Sequence, residues 1–495
     1  MFSFRVAAVV AVSALFVAVG GGAVLAAPPE TFGSGPTGGG TTVTGTVTGI
    51  TLTEVSAGTN FSLALGSDSN AYSWGSNAAG QLGNDSVVTS SNVPVPVLAP
   101  AGVMFTQISA GYDHSLAIGS DGKTYAWGDN TSGGLGIGTS GPASPLPTEV
   151  ELPSGVTFTQ VSAGQDFSLA VGSDGNAYAW GENSYGQLGV DTVVDSSLPV
   201  LVSPAGGLAV VDVSAGGNHS LAVGADGFAY AWGSNGAGQL GDGTGTTSFV
   251  PVQVTGASGL LTQVSAGTYH SLAVGSDGKT YAWGDNAFGQ LGNGTVANSL
   301  VPTAVSLPTG VTFTEVSSGQ HHSLAVGSDG NAYVWGYDSE TTPEKVISPA
   351  DVVFSQLSGG IAHSLAVGSD GNTYGWGYNL TGELGDGSGT SSTELVAVDR
   401  SMSVTGVTFD GVAGTGLTES TGSWTIVAPA HEAGVVDVVV FYTQFGDSHS
   451  RTTVDGFTYA DMLPATGSST PFIAAGSALL LIVAGGVLLG RRVRA

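Results

Sequence analysis

Between residues 51 and 399 one pattern of apolar and polar positions recurs seven times. A clear copy starts at Val264 and reads VSAGTYHSLAVGSDGKTYAWGDNAFGQLGNG. HSLAVG and TYAWG are short runs of β-formers in which apolar and polar residues partly alternate, so each predicts a strand. The Ser-Asp-Gly between them predicts a hairpin closed by two residues that both adopt positive φ. Asp-Gly pairs occur at Asp121, Asp174, Asp226, Asp277, Asp329 and Asp370, and the first copy has Asp68-Ser69-Asn70 instead. A strand ending in VSAG precedes the hairpin. A Val/Pro-rich strand such as VPVPVL follows it, and its prolines mark a sheet edge. Each copy therefore predicts one four-stranded antiparallel sheet. No part of the region has helical periodicity.

The repeat is dated by its tryptophans: Trp74, Trp127, Trp180, Trp232, Trp283, Trp335 and Trp376. The last interval is short because the sixth copy lacks the GQLG segment and reads WGYDSETTPEKVISP. A single four-stranded sheet cannot cover both its faces, but seven can close into a ring, a β-propeller. Whether each repeat is one blade or is shared between two is left open by the pattern. The motif AGxxHSLAVGSDGxxYAWGxNxxGQLG closely resembles the repeat of the regulator-of-chromosome-condensation family. That resemblance spans roughly 51–399 and implies a seven-bladed propeller.

The residue before SLA is His114, His219, His270, His322 or His363 in five copies, but Phe61 and Phe167 in the other two. A metal ligand or general base cannot be exchanged for Phe. A packing ring with a polar edge can be. The histidines and the seven tryptophans therefore read as structural. His321 and His322 are neighbours on a strand and point to opposite faces, so they do not form a metal pair. The chain has no GxSxG elbow, HExxH motif, phosphate loop or dinucleotide fingerprint, so no catalytic activity and no cofactor are expected.

Gly is abundant at 81 of 495 residues, yet 41 % of the chain is hydrophobic, enough to bury a core. Cysteine is absent, which excludes disulfides and Cys-ligated zinc. Residues 1–26 read as a secretory signal peptide, with one basic residue, an apolar run and small residues at Val24 and Ala26. Leu463, Pro464, Ala465, Thr466 and Gly467 begin the segment 462–495. An apolar run at 472–490, long enough to span a bilayer, and RRVRA follow. This order resembles the cell-wall sorting signal of Gram-positive bacteria, which implies cleavage between Thr466 and Gly467 by sortase and linkage to peptidoglycan at the cell surface. All 37 acidic residues lie between the two processed ends, with only Lys123, Lys279, Lys345, Arg400 and Arg451 to balance them. Such a surface repels nucleic acid.

The flanks predict a small β-sandwich. VTFDGVAG, WTIVAPA, GVVDVVV and GFTY within 400–461 resemble the later strands of an immunoglobulin-like IPT/TIG domain. The opening that such a domain needs appears as GPTGGGTTVTGT at 35–46, within 27–50. The expected fold is thus all-β: a propeller over 51–399 inserted into an immunoglobulin-like sandwich.

In an up-and-down blade the loops joining strands 1–2 and 3–4 share one face, and the hairpin turns occupy the other. The residues that vary between copies fall on the first face. They include Tyr112 and Asp113, Asp166, Tyr269, His321, Tyr185, Phe288, Tyr337 and Tyr378, with Asp129, Glu182 and Asp285 among them. Aromatics interleaved with acids on a rigid scaffold suit a protein- or glycan-binding face. The expected role is a wall-anchored interaction module or adhesin. The alternative is an extracellular enzyme inhibitor, since the family resemblance includes propeller-type inhibitors of β-lactamases. Guanine-nucleotide exchange is also implied by the family name, but it requires an intracellular GTPase.

Overall fold

The computed structural model describes residues 32–203, 209–337, 340–420 and 423–460. The expected signal peptide, the LPATG motif at 463–467 and the apolar run at 472–490 lie outside the described residues. Every element described is a strand, and no helix among the described residues is long and apolar enough to cross a membrane.

Seven four-stranded sheets hold the repeats, one copy to a sheet, with the strands adjacent in chain order. They are numbered here as blades 1 to 7, spanning 52–96, 105–149, 158–201, 210–253, 261–304, 313–345 and 354–397. The second and third strands pair antiparallel in one register throughout, as in Ser271 with Trp283 and Leu272 with Ala282. Each sheet buries both faces against its neighbours, so the apolar cores lie between blades. Leu240 and Val254 of blade 4 pack with Val264, Tyr281 and Trp283 of blade 5. The same arrangement joins Leu365 and Val367 of blade 7 to Leu52, Tyr72 and Trp74 of blade 1, which closes the ring.

The innermost strands surround a central shaft and are bridged by side chains. In each, the Glu, Gln or Asp before the apolar residue accepts a backbone N–H from the next blade. Gln107 Oε1 accepts from Val161 at 3.0 Å, Gln263 Oε1 from Val316 at 3.1 Å and Gln356 Oε1 from Val55 at 2.9 Å. Two residues on, the serine repeats the device, for example Ala266 N–H to Ser214 Oγ at 3.0 Å and Ala57 N–H to Ser358 Oγ at 2.8 Å. These bonds satisfy edge strands that would otherwise expose unpaired backbone. At the mouth of the shaft the glycines of VSAG come so close that a Cβ on Gly111, Gly216, Gly267 or Gly319 would lie 2.5 Å from the next blade's glycine carbonyl.

The hairpin turn differs from the sequence expectation. Gly278 N–H donates to the Gly275 carbonyl at 3.0 Å, and Gly275 N–H to the Lys279 carbonyl at 2.8 Å. Only Gly278 has positive φ (78°). Ser276 and Asp277 form an ordinary right-handed turn, and Gly278 takes the left-handed position after it. The reason is the Asp277 carboxylate, which accepts the Lys279 N–H (3.1 Å) and the Tyr281 hydroxyl (2.9 Å). An Asp–Tyr bond of this kind recurs in all seven blades. In blade 1 the left-handed position is held by Ser69 at φ 66°. Ser69→Gly should therefore raise stability by about 0.5–1 kcal/mol, the strain relieved less the extra freedom glycine gives the unfolded chain. A shift of the urea midpoint at constant slope measures it.

The remaining strands form a five-stranded sheet containing Ser34–Pro36, Met402–Phe409, Gly434–Gln444 and Asp447–Ala460, and a three-stranded sheet of Thr42–Thr46, Thr415–Ser420 and Ser423–Val427. Val43, Val404, Phe409, Trp424, Ile426, Val438 and Phe457 share one core between them. Segments from both sides of the repeat meet here: Val43 pairs with Ile426, and Gly35 with Tyr459. Gln444, 2 % exposed, joins this unit to the ring. Its side chain accepts from Ile50 N–H at 2.7 Å and donates to the carbonyls of Ile50 (3.1 Å) and Arg400 (3.2 Å), where the chain enters and leaves the repeat.

Candidate functional site

The five repeat histidines are interior. His114, His219, His270, His322 and His363 are at most 5 % exposed. Their Nε2 atoms lie 2.9–3.0 Å from Ser168, Ser271, Ser323, Ser364 and Ser62 of the following blade. In four of these serines the hydroxyl donates onward to a backbone carbonyl, as Ser271 does to Gln239 at 2.9 Å. Nε2 must then be the donating nitrogen. Burial holds His270 down at about 3 and His114 at about 4, so all five are neutral near pH 7.

That depression sets a sign. Stability from a neutral buried histidine is complete above the unfolded value near 6.5 and is lost as pH falls toward 3. His270→Phe imitates blades 1 and 3 and removes one such group. The variant should match the parent at pH 7 and lose about 1.4 kcal/mol less per pH unit between 6 and 4, read from urea unfolding across that range. Glu54 and Glu315, facing the shaft, work in the opposite sense. Burial raises both to about 7, so their contribution is present below 4.5 and is lost as pH rises through 7.

The tryptophans lock one blade to the previous one. The Asn of each N..GQLG segment organises its own loop: Asn286 Oδ1 accepts the Leu291 N–H (2.9 Å) and Asn286 Nδ2 donates to the Thr295 and Ala297 carbonyls. The loop then presents the Gln290 carbonyl to the Nε1 of Trp335 at 2.8 Å. Trp74, Trp127, Trp180, Trp232 and Trp283 make the same bond. Trp376 does not.

The variable residues do gather on one face. The residue after each WG donates its N–H to a 1–2 loop carbonyl, as Asp285 to Tyr269 (3.0 Å), Tyr337 to His321 (3.0 Å) and Tyr378 to Ala362 (2.8 Å). Both loop sets therefore stand at the same end of every blade. Tyr185, Tyr269, Phe288, Tyr337 and Tyr378 are 39–53 % exposed there. A central cavity of about 160 Å³ is lined instead by the glycine mouth and by Thr59, Tyr112, Gln165, Thr268, Gln320 and Ile361. Tyr112 departs from the expectation. It is half-buried, and it lines the central cavity together with Thr268. Asp113 is also half-buried and accepts Gln81 Nε2 at 2.9 Å.

His321, expected on this face, stacks between Tyr269 (6.2 Å) and Phe288 (4.5 Å), making one aromatic run across blades 5 and 6. One contributor was missed from the sequence: Leu380, 65 % exposed, extends the apolar surface beside Tyr378. It differs from its sister copies, and that non-repetition was the available signal. Among the acids, burial and then the nearby Glu182, Asp129 and Asp113 push Asp166 up to about 6. Among the described residues no Lys or Arg shares this end. Lys123 and Lys279 belong to hairpin turns, Lys345 ends an outer strand, Arg400 bonds the Gly371 carbonyl of a turn, and Arg451 is in the sandwich. Among the described residues no three His, Asp or Glu are placed to hold a metal ion.

Comparison with known proteins agrees with this geometry. Residues 5–259 and 146–416 match the RCC1-like domain. The ultraviolet-B receptor UVR8 of Arabidopsis thaliana is 34 % identical over 292 residues, 58 % of this chain and 66 % of its own length. The probable E3 ubiquitin-protein ligase HERC6 of Homo sapiens is 33 % identical over 300 residues, 59 % of this chain but only 29 % of its own. The chain thus spans less than two thirds of either relative. Among solved structures, Saccharomyces cerevisiae Prp20p aligns with TM-score 0.56 at 25 % identity, over 64 % of this chain and 82 % of that one. Human WBSCR16 aligns with TM-score 0.60 at 21 % identity, over 73 % and 99 %. The repeated sheets, the conserved-in-register locks between them and these matches together place the chain in the RCC1-like domain family.

Proposed function

We propose that this chain is a surface-displayed interaction module: a seven-bladed propeller inserted in an immunoglobulin-like sandwich, exported by its N-terminal segment and joined to the cell wall through LPATG. The observation that carries the binding reading is the loop face, where exposed aromatics alternate with acids and no Lys or Arg is present. The kinship fits, because Prp20p is a relative studied for its binding to Gsp1p and histones. The partner favoured by this face is a protein with a basic, aromatic-tolerant surface. An enzyme-inhibitor role would use the same face. The buried histidines, each tied to a serine and a backbone carbonyl, favour a non-enzymatic role.

The test is retention of secreted or matrix proteins by the immobilised chain. Changing Tyr185, Tyr269, Phe288 and Tyr378 together to Ala should abolish retention of any specific partner, and unchanged retention would overturn the reading. A basic partner must also lower the pKa of Asp166. Its affinity should therefore rise between pH 5 and 7, with proton release near pH 6 measurable by calorimetry in buffers of different ionisation heat.

A further inference from the structure

The ring carries six complete inter-blade locks and one incomplete one. At each complete lock the GQLG turn of one blade supplies three things to the next. Its Gln-position carbonyl accepts the tryptophan Nε1–H and the serine Oγ–H, as Gln239 does from Trp283 (2.8 Å) and Ser271 (2.9 Å). Its leucine packs beside that tryptophan, as Leu240 does. A backbone N–H just beyond it donates to a carbonyl in the first half of the next outer strand, as Gly243 does to Leu300 at 3.0 Å. The last bond recurs onto Pro145, Ser197, Phe249, Thr341 and Asn92.

Blade 6 lacks the GQLG segment in its sequence, and Gly336 pairs directly with Glu340. The partners on blade 7 are nevertheless intact. Trp376 Nε1 has no acceptor among the described residues, although the residue is 8 % exposed where its six sisters are at most 1 %. Ser364, 3 % exposed, lies 3.0 Å from His322 Nε2 and, unlike its sister serines, makes no bond to a backbone carbonyl among the described residues. The Thr393 carbonyl, which matches Leu300, receives no corresponding bond. The Trp376 indole N–H, the Ser364 hydroxyl and the Thr393 carbonyl therefore stand in the arrangement that elsewhere binds a turn of this chain.

We propose that the blade 6–blade 7 junction is a peptide-docking site. It takes a tight turn that presents a main-chain carbonyl, then a leucine-type side chain, then a free N–H, supplied by a partner protein. The ligand class follows from the six internal examples, in which the same three groups hold Gly-Gln-Leu-Gly in four blades, Gly-Gly-Leu-Gly in blade 2 and Gly-Glu-Leu-Gly in blade 7. The site is separate from the aromatic face and does not depend on that reading.

The probe is the cyclised peptide NSYGQLGVD, the chain's own residues 183–191. It is titrated into full chain labelled with ¹⁵N-tryptophan, and the Trp376 indole signal is identified by its loss in Trp376→Phe. The Trp376 signal should shift saturably while the six sister signals stay fixed, and Leu→Ala in the peptide should weaken binding at least tenfold. A second chain, with residues 337–339 replaced by residues 182–195, supplies the turn in cis. It should move the Trp376 signal toward those of its sisters and no longer respond to peptide. A Trp376 signal unmoved at millimolar peptide, or an equal response from the grafted chain, overturns the proposal and leaves these donors to water.

Discussion

Trp283→Ala should cost about 3–5 kcal/mol, the largest loss expected from a single side chain in this protein. The indole is fully buried between blades 4 and 5, against Leu240, Val254, Leu261 and Tyr281. Its removal leaves a cavity that the rigid backbone on either side cannot fill. It also strips an Nε1–H from the Gln239 carbonyl, leaving only the Ser271 hydroxyl there. Because each blade touches only its neighbours, the loss falls on one junction of a closed ring. Circular dichroism during guanidinium unfolding should show a lower midpoint. Trp376→Ala should cost measurably less, since that ring has no carbonyl to abandon and less burial to lose. Equal costs for the two would mean that the carbonyl bond contributes little.

Gly267→Ala should cost about 1–3 kcal/mol despite adding one methyl group. That methyl would stand 2.5 Å from the Gly319 carbonyl and 2.7 Å from His270 Cε1. Neither neighbour can retreat: the carbonyl belongs to the next blade's mouth, and the imidazole is bonded to Ser323. Gly278→Ala is the control. Its Cβ would meet only Thr312 Cγ2 at 3.7 Å, so its cost is backbone strain alone, about 1 kcal/mol. Thermal melts of the two variants separate crowding from conformation. A smaller loss at Gly267 than at Gly278 would show that the mouth can widen.

The strands of the ring were legible because each is short, bounded by glycine and repeated in one frame. So was the shared end of the variable loops, which follows from strand order. The locks were not legible. They join His270 to Ser323 and Trp283 to Gln239, residues that belong to different repeats and meet only once the ring has closed. The VSAG glycines look like turn residues in sequence, yet Gly267 is fixed by the backbone of another blade. The Asp-Gly turn misled for a related reason. The dipeptide suggests a two-residue hairpin, but the tyrosine four residues on captures the Asp carboxylate and selects a longer one. Tyr112 departs from its expected exposure because exposure depends on which neighbour stands across the mouth. Tyr112 turns toward the cavity that Thr268 also lines, while Tyr269 and Phe288 hold His321 in their stack.

The double grip of Gln444 on Ile50 and Arg400 decides how the molecule transmits force. Tension applied between residues 34 and 460 meets the parallel pairing of Ser34–Pro36 with Asp447–Ala460 in shear, so its hydrogen bonds must yield together. The segments entering and leaving the ring are stapled side by side behind that contact. The ring thus hangs as a closed side loop off the strained path, and the loop face proposed for binding stays undistorted while the strand clamp holds.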